Sequence, residues 1–225
     1  MTTHSLEGHL GRQVDIDECA SCQVWWFDDR ESLALSPRGT LSVFRVIGEH
    51  ARQSKPALSP VLKCPRCASH LRPTHDKQRN VAFQYQRCPH GHGRLITDVD
   101  FLREKNLLRP LSAEQVDQLR ASVHNVNCAN CGGPIDLGAG SICTHCGSPL
   151  SMIDLRQAGD VIAQLQKADE GRTQPDPLLP LRLAEARREV ERSFAELGHG
   201  AAQAPDSSVD LLAAGLSALA GWLKK

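Results

Sequence analysis

Residues 128–150 read CANCGGPIDLGAGSICTHCGSPL, and this stretch decides what kind of fold to expect. It nearly repeats itself, because Cys128-x-x-Cys131-Gly-Gly-Pro-Ile is answered by Cys143-x-x-Cys146-Gly-Ser-Pro-Leu. Each half predicts a knuckle, a tight turn presenting two thiolates to one metal ion, with Gly132 and Gly147 available for the positive φ that such a turn commonly requires after its second cysteine. Two knuckles complete a tetrahedral shell of four thiolates, Cys128, Cys131, Cys143 and Cys146, the ligand set of a structural zinc. His145, inside the second knuckle, is expected to be a bystander.

Working outward, the chain holds 9 cysteines in 225 residues, and all but Cys88 fall into Cys-x-x-Cys pairs. Met1 to Leu10 lack the charged-then-apolar pattern of a secretory signal, which points to a reducing cytoplasm and to zinc or redox roles over disulfides. No apolar run reaches the roughly 18 residues of a membrane span. Aromatic residues are 4% of the chain, and the cysteines divide its first 150 residues into three short units. Units much below about 40 residues bury too little apolar surface to fold unaided, whereas a structural zinc supplies roughly 10–16 kcal/mol of binding free energy that becomes folding free energy.

The middle unit starts at Cys64-Pro-Arg-Cys67 and continues through a strand in which Val81, Phe83 and Tyr85 alternate with Ala82, Gln84 and Gln86. Cys88 supplies a third thiolate, and the fourth ligand is His90 or His92, because no further cysteine occurs before Cys128. Cys88-x-x-x-His92 leaves room for a turn through Gly91, whereas reaching His90 means closing across the stiff ring of Pro89, so His92 is favoured. A redox-active dithiol at Cys64 and Cys67 is the competing reading. The third cysteine and nearby histidine fit zinc better.

The N-terminal unit has only one pair, Cys19 and Cys22. Val14 and Ile16 alternate with Asp15 and Asp17 in a short strand leading into Cys19, and the apolar run Val24-Trp25-Trp26-Phe27 follows the turn. Asp28-x-x-Glu31 forms a capping-box pattern ahead of Leu33 and Leu35, so the acidic cluster Asp28, Asp29 and Glu31 reads as a helix start before it reads as acid–base machinery.

Cys-x-x-Cys followed by Trp26-Phe27-Asp28-Asp29-Arg30-Glu31 resembles the distal half of a transcription-factor-IIB-type zinc ribbon, with its Trp-x-Asp-x-x-Glu signature. The order WFDDRESLALSP, CPHGHGR, FLREKN and terminal ribbon is similar to a family of bacterial zinc-ribbon proteins, over roughly residues 1–155. This resemblance implies three ribbon units and brings no substrate with it. The sequence departs from the ribbon pattern where the proximal Cys-x-x-Cys should stand, since only His4 and His9 lie upstream of Cys19. Those two histidines are the candidates to complete a third zinc site, His9 the better placed beside the Leu10-Gly11 turn. The other possibility is that two chains each contribute Cys19 and Cys22 to one shared zinc.

Charge bears on what the units touch. The chain is formally neutral, but residues 61–125 carry 11 basic and 6 acidic side chains, an excess the flanking segments cancel. Zinc–thiolate centres add negative charge that the formal count omits. Phosphate contacts could come only from Lys63, Arg66, Arg72, Lys77, Arg79, Arg87 and Arg94, with Phe83 and Tyr85 as stacking surfaces. There is no phosphate-binding glycine loop, nucleophile elbow or metal site with an evident open position, so an enzyme is not expected. The reading is a zinc-binding scaffold or adaptor acting through protein–protein contacts; the alternative is a nucleic-acid-associated ribbon protein using its basic middle unit.

The expected architecture is a small metal-stabilised α+β chain of tandem zinc ribbons joined by short helices: a first unit over 1–51, a second over 61–110, a helix and third ribbon over 111–155, and a helical tail over 156–225. Ser112-x-x-Gln115 predicts a capped helix through Val116, Leu119 and Val123, and Asp98 to Leu108 predicts another. Arg52 to Pro60 reads as a linker. In the tail, Leu179 to Leu197 carries one apolar stripe, Gly198 to Ser208 reads as a tether, and Val209, Leu212, Leu216, Leu219 and Leu223 form a seam on a last helix. At roughly 15–17 residues that helix is marginal alone and needs its own chain, a second copy or a partner protein to pack on.

Overall fold

The computed structural model describes residues 1–29, 31–50, 53, 55–78, 81–170, 181, 184, 185, 188 and 212. At its centre strands β1 (Thr2–Glu7), β2 (Gln13–Cys19), β3 (Val24–Asp28), β4 (Arg72–Gln78), β5 (Val81–Arg87) and β6 (Gly93–Thr97) form one sheet in the order β1-β2-β3-β6-β5-β4. Every pairing in it is antiparallel. Strands from residues 1–51 and from 61–110 therefore share a single sheet, joined where β3 pairs with β6 and Trp25 lies opposite Ile96.

The unbroken apolar run of β3 reflects that position. Trp25 and Phe27 enter the larger core with Val43, Phe44, Ile47, Ile96, Phe101 and Ile162, while Val24 and Trp26 enter a second cluster with Cys64, Leu71, Cys88 and Leu95. A strand covered on both faces has no solvent side and loses the alternation that marks β2 and β5. Burying a side chain of this size contributes about 1.5–3 kcal/mol, so the three aromatic residues of β3 are a main source of the sheet's stability.

Helices cover the Trp25 face. Glu31–Ala34 (α1) is one turn and realises half of the expected capping box: Glu31 Oε2 accepts from Asp28 N at 2.7 Å, but the Asp28 carboxylate is taken by Arg66 and Trp26 Nε1. Pro37–His50 (α2) was not expected from the sequence, although Ser36 Oγ accepts from Gly39 N and Pro37 opens the helix, where its missing N–H costs nothing. Asp98–Glu104 (α3) is capped by Thr97 and ends sooner than expected; Asn106 turns the chain with φ 61°, and Leu108–Pro110 becomes strand β7. Ala113–Ser122 (α4) has both hydrogen bonds of the predicted capping box between Ser112 and Gln115.

Short strands β8 (Asn125–Asn127) and β9 (Pro134–Asp136) pair beside the last cysteines, and β10 (Ser151–Ile153) pairs with β7. Leu155–Asp169 (α5), capped by Asp154, lies against α2, with Arg38 Nε 3.1 Å from Asp169 Oδ2. In the stripe expected over 179–197, only Leu181, Ala184, Glu185 and Arg188 are described, and these are helical. The rest of that stripe, the tether and the seam apart from Leu212 lie outside the described residues. Leu212 is 1% exposed and belongs to the larger core.

Candidate metal centres

The middle centre is built from two turns. Cys64 and Cys67 precede β4, while Cys88 and His92 flank the turn between β5 and β6. Cys64 N bonds to Ser69 O and Cys88 N to Gly93 O, each drawing a loop closed around the ligands. Gly93 sits so close to β3 that a Cβ there would lie 2.1 Å from Phe27 O; the β6 strand can join the sheet only with glycine at this point.

A tetrahedral zinc with Zn–S of about 2.3 Å and Zn–N of about 2.0 Å requires S···S separations of about 3.8 Å and S···N of about 3.5 Å. Cys67 Sγ is 3.6 Å from Cys88 Sγ, and His92 Nδ1 is 3.5 Å from Cys88 Sγ and 3.9 Å from Cys64 Sγ. Cys64, Cys67, Cys88 and His92 thus form a set that could hold a metal ion. His90 stands just outside it, its Nδ1 3.5 Å from Cys67 Sγ and 3.3 Å from Ser69 Oγ. Hydrogen bonds involving Ser69 and then His90 hold the Cys67 thiol at about 5, so it is a thiolate at neutral pH.

The C-terminal centre joins the turn after β8 to the turn before β10. Cys128 Sγ is 3.7 Å from Cys146 Sγ, and Cys131 Sγ is 3.6 Å from Cys143 Sγ. These spacings match four thiolates around one ion and are far from the roughly 2.05 Å of a disulfide. Gly132 and Gly147 take φ of 76° and 71°, as their positions predict. Hydrogen bonding to Cys131 and Cys146 pushes the Cys128 thiol up, whereas hydrogen bonds from Cys128 and Cys131 hold Cys146 well below the usual thiol range. Without metal the set therefore shares protons unequally, and an incoming cation displaces them.

Both centres are bolted to the sheet by side chains, one of which, Arg66, the sequence suggested only as a phosphate contact. Arg66, between Cys64 and Cys67, spans Asp17 at 2.9 Å and Asp28 at 2.7 Å. Asn130, between Cys128 and Cys131, donates to Asp100 Oδ2 at 2.8 Å and to Ser148 Oγ at 2.6 Å, and it accepts from Thr97 Oγ1. Arg103 Nη1 bonds the other oxygen of Asp100 at 2.8 Å, which completes a buried network between α3 and the C-terminal centre. A polar residue between paired cysteines was the available signal for both contacts.

The first pair is different. Cys19 and Cys22 belong to no group of three or more metal-ligating side chains among the described residues. His4 Nε2 lies 2.8 Å from Glu18 Oε2, His50 Nδ1 lies 2.8 Å from Glu18 Oε1, and His9 falls in the turn before β2, at the opposite end of that strand from Cys19. Neither His4 nor His9 is brought to the two thiols. Burial raises the Cys19 thiol, but hydrogen bonds from Ser21 and Cys22 outweigh it and leave the group lowered.

No family model, curated protein or solved structure matches this chain. Among the described residues, no helix is long and apolar enough to cross a membrane.

Proposed function

We propose that this chain is a zinc-binding scaffold or adaptor of tandem ribbons, in which metal builds the surface that a protein partner recognises. The observation that carries the reading is closure: each of the two ligand sets supplies four protein atoms at tetrahedral spacing. Such a shell keeps no position for a substrate or an attacking water, which is the mark of a structural site. The ligands also sit where pieces of the fold meet, as Leu58 N bonding to Cys131 O at 2.8 Å illustrates. A cleft of about 590 Å³ between β5, α3 and the Cys146 turn is lined in part by Phe83, Leu108 and Pro149, and of its charged residues Asp100 and Arg103 pair with each other while Arg109 and Asp154 supply one charge of each sign. That lining suits side chains of a protein partner better than a reaction.

Affinity capture with the zinc-loaded full chain tests the reading, beside Cys128→Ser/Cys143→Ser. A defined partner that is retained by the natural chain and lost by the variant is expected. A captured set indifferent to loss of metal would overturn the adaptor reading.

The nucleic-acid alternative has one observation in its favour. Arg72 lies opposite Arg87 and Arg87 opposite Arg94, a cross-strand row of like charges that an anion would relieve. Against it, Arg94 is paired with Glu104 at 2.8 Å, Arg66 is paired with Asp17 and Asp28, and Phe83 is buried. Oligonucleotide binding that weakens steeply with salt would restore this reading; its absence would remove it.

A further inference from the structure

The turn from Cys19 to Gln23 has the backbone of a metal knuckle without the other half. Cys19 pairs with Val24, five residues on, just as the N–H groups of Cys64, Cys128 and Cys143 bond to the carbonyls of Ser69, Gly133 and Ser148. The residue after the second cysteine is left-handed in all four turns: Gln23 at 55°, Ala68 at 58°, Gly132 at 76° and Gly147 at 71°. For a side chain other than glycine this conformation costs about 1–2 kcal/mol. At Gln23 it is held by the side-chain amide, which donates to His50 O and Gln53 O.

Both thiols are half-exposed, Ser21 Oγ lies 3.4 Å from Cys19 Sγ and 4.0 Å from Cys22 Sγ, and the two thiols interact with each other side chain to side chain. Two thiolates in this geometry are half a tetrahedron. The nearby histidines His4 and His50 are bonded to Glu18. An identical half, brought by rotation about a two-fold axis, finishes the shell with four sulfurs.

We propose that Cys19 and Cys22 of two copies of this chain hold one zinc ion between them, on the two-fold axis of a dimer. Four thiolates on the ion leave a net charge of about −2. Lys55 of each copy, whose Nζ donates to Ala129 O and Asn130 O, adds a small favourable electrostatic pull on Cys22. This site adds to the two intrachain centres and uses none of their ligands.

The test compares the natural full chain with Cys19→Ser/Cys22→Ser, both purified with zinc and a phosphine reductant, by light scattering and elemental analysis. The natural chain is expected as a dimer carrying about five ions per pair, and the variant as a monomer carrying about two per chain. A natural chain that is monomeric with two or three ions, or a dimer that persists in the variant, would overturn the proposal. The two-centre reading is judged separately, from the ion content of the variant alone.

Discussion

Trp25 donates a 2.8 Å hydrogen bond from its indole Nε1 to Oδ1 of Asp98, a partner 73 residues further along the chain. Both side chains are buried, and the bond ties the central strand β3 to the first residue of α3. Burial pushes the Asp98 carboxyl up to about 6, against the opposing pull of Lys55 and of the Trp25 hydrogen bond.

A raised carboxyl means that the folded protein holds its proton more tightly than the unfolded chain does. The stabilisation is full below about pH 4 and is lost as pH rises through about 6, a difference on the order of 2–3 kcal/mol. Asp98→Asn keeps an acceptor for Trp25 and has no charge to bury. Urea unfolding of both proteins should show the natural chain losing stability relative to the variant between about pH 4 and pH 6; a constant difference across that range would refute the assignment.

The middle centre distinguishes two neighbouring histidines. His92→Ala should lower the zinc content by one ion per chain, because Nδ1 of His92 stands at ligand distance from Cys64 and Cys88. His90→Ala should keep the ion but weaken its retention about 10-fold or more, since His90 supports Cys67 from outside the shell. Competition with a chromophoric chelator measures both, and the reverse ranking would assign the fourth ligand to His90.

Ala68 is exposed and carries φ 58° at the turn position where both knuckles of the C-terminal centre have glycine. Ala68→Gly should therefore stabilise the zinc-loaded protein by about 0.5–1 kcal/mol, visible as a higher denaturant midpoint. A lower midpoint would mean that the turn relaxes out of the left-handed region.

Leu212 belongs to the larger core with Val99 of α3 and lines a small cavity that Cys128, Ile135 and Leu150 also line. Leu212→Ala is expected to destabilise the protein by about 2–5 kcal/mol, the usual cost of emptying a closed core site. Truncation at Ala204 should lower the melting temperature at least as much. A truncated chain that melts like the full one would show that the tail contributes nothing to the core.

The two clusters that could hold a metal were legible because chemistry fixes their spacing: a knuckle needs its cysteines three apart and a permissive residue behind them, as at Cys128 to Gly132. The capping box at Ser112 was equally local. The β3–β6 seam was not, since nothing near Trp25 says which strand lies beside it, and the unbroken VWWF run signals two covered faces without naming the covers. Helix α2 was missed although Thr40, Val43, Phe44 and Ile47 are all buried at helical spacing, because Gly39 and Gly48 within it weaken the local helical signal and burial against the core outweighs that cost. His4 stood at a plausible distance upstream of Cys19, yet Glu18 claims it; a neighbouring buried carboxylate is the better partner for an imidazole than a thiol across a turn.

The order in which the sheet assembles follows from that seam. β3 and β6 are separated by residues 29–92, and closing so long a loop costs entropy before any strand hydrogen bond forms. A cation held by Cys64, Cys67, Cys88 and His92 would gather the far end of the loop into one rigid piece, with Arg66 facing Asp17 of β2 and Asp28 of β3 and β6 beginning directly after His92. The β2–β3 hairpin would then dock onto a finished edge in one encounter. On the zinc-scaffold proposal, metal supply would thereby set a rate as well as an equilibrium: a chain made without zinc would carry both halves of its sheet and wait to join them.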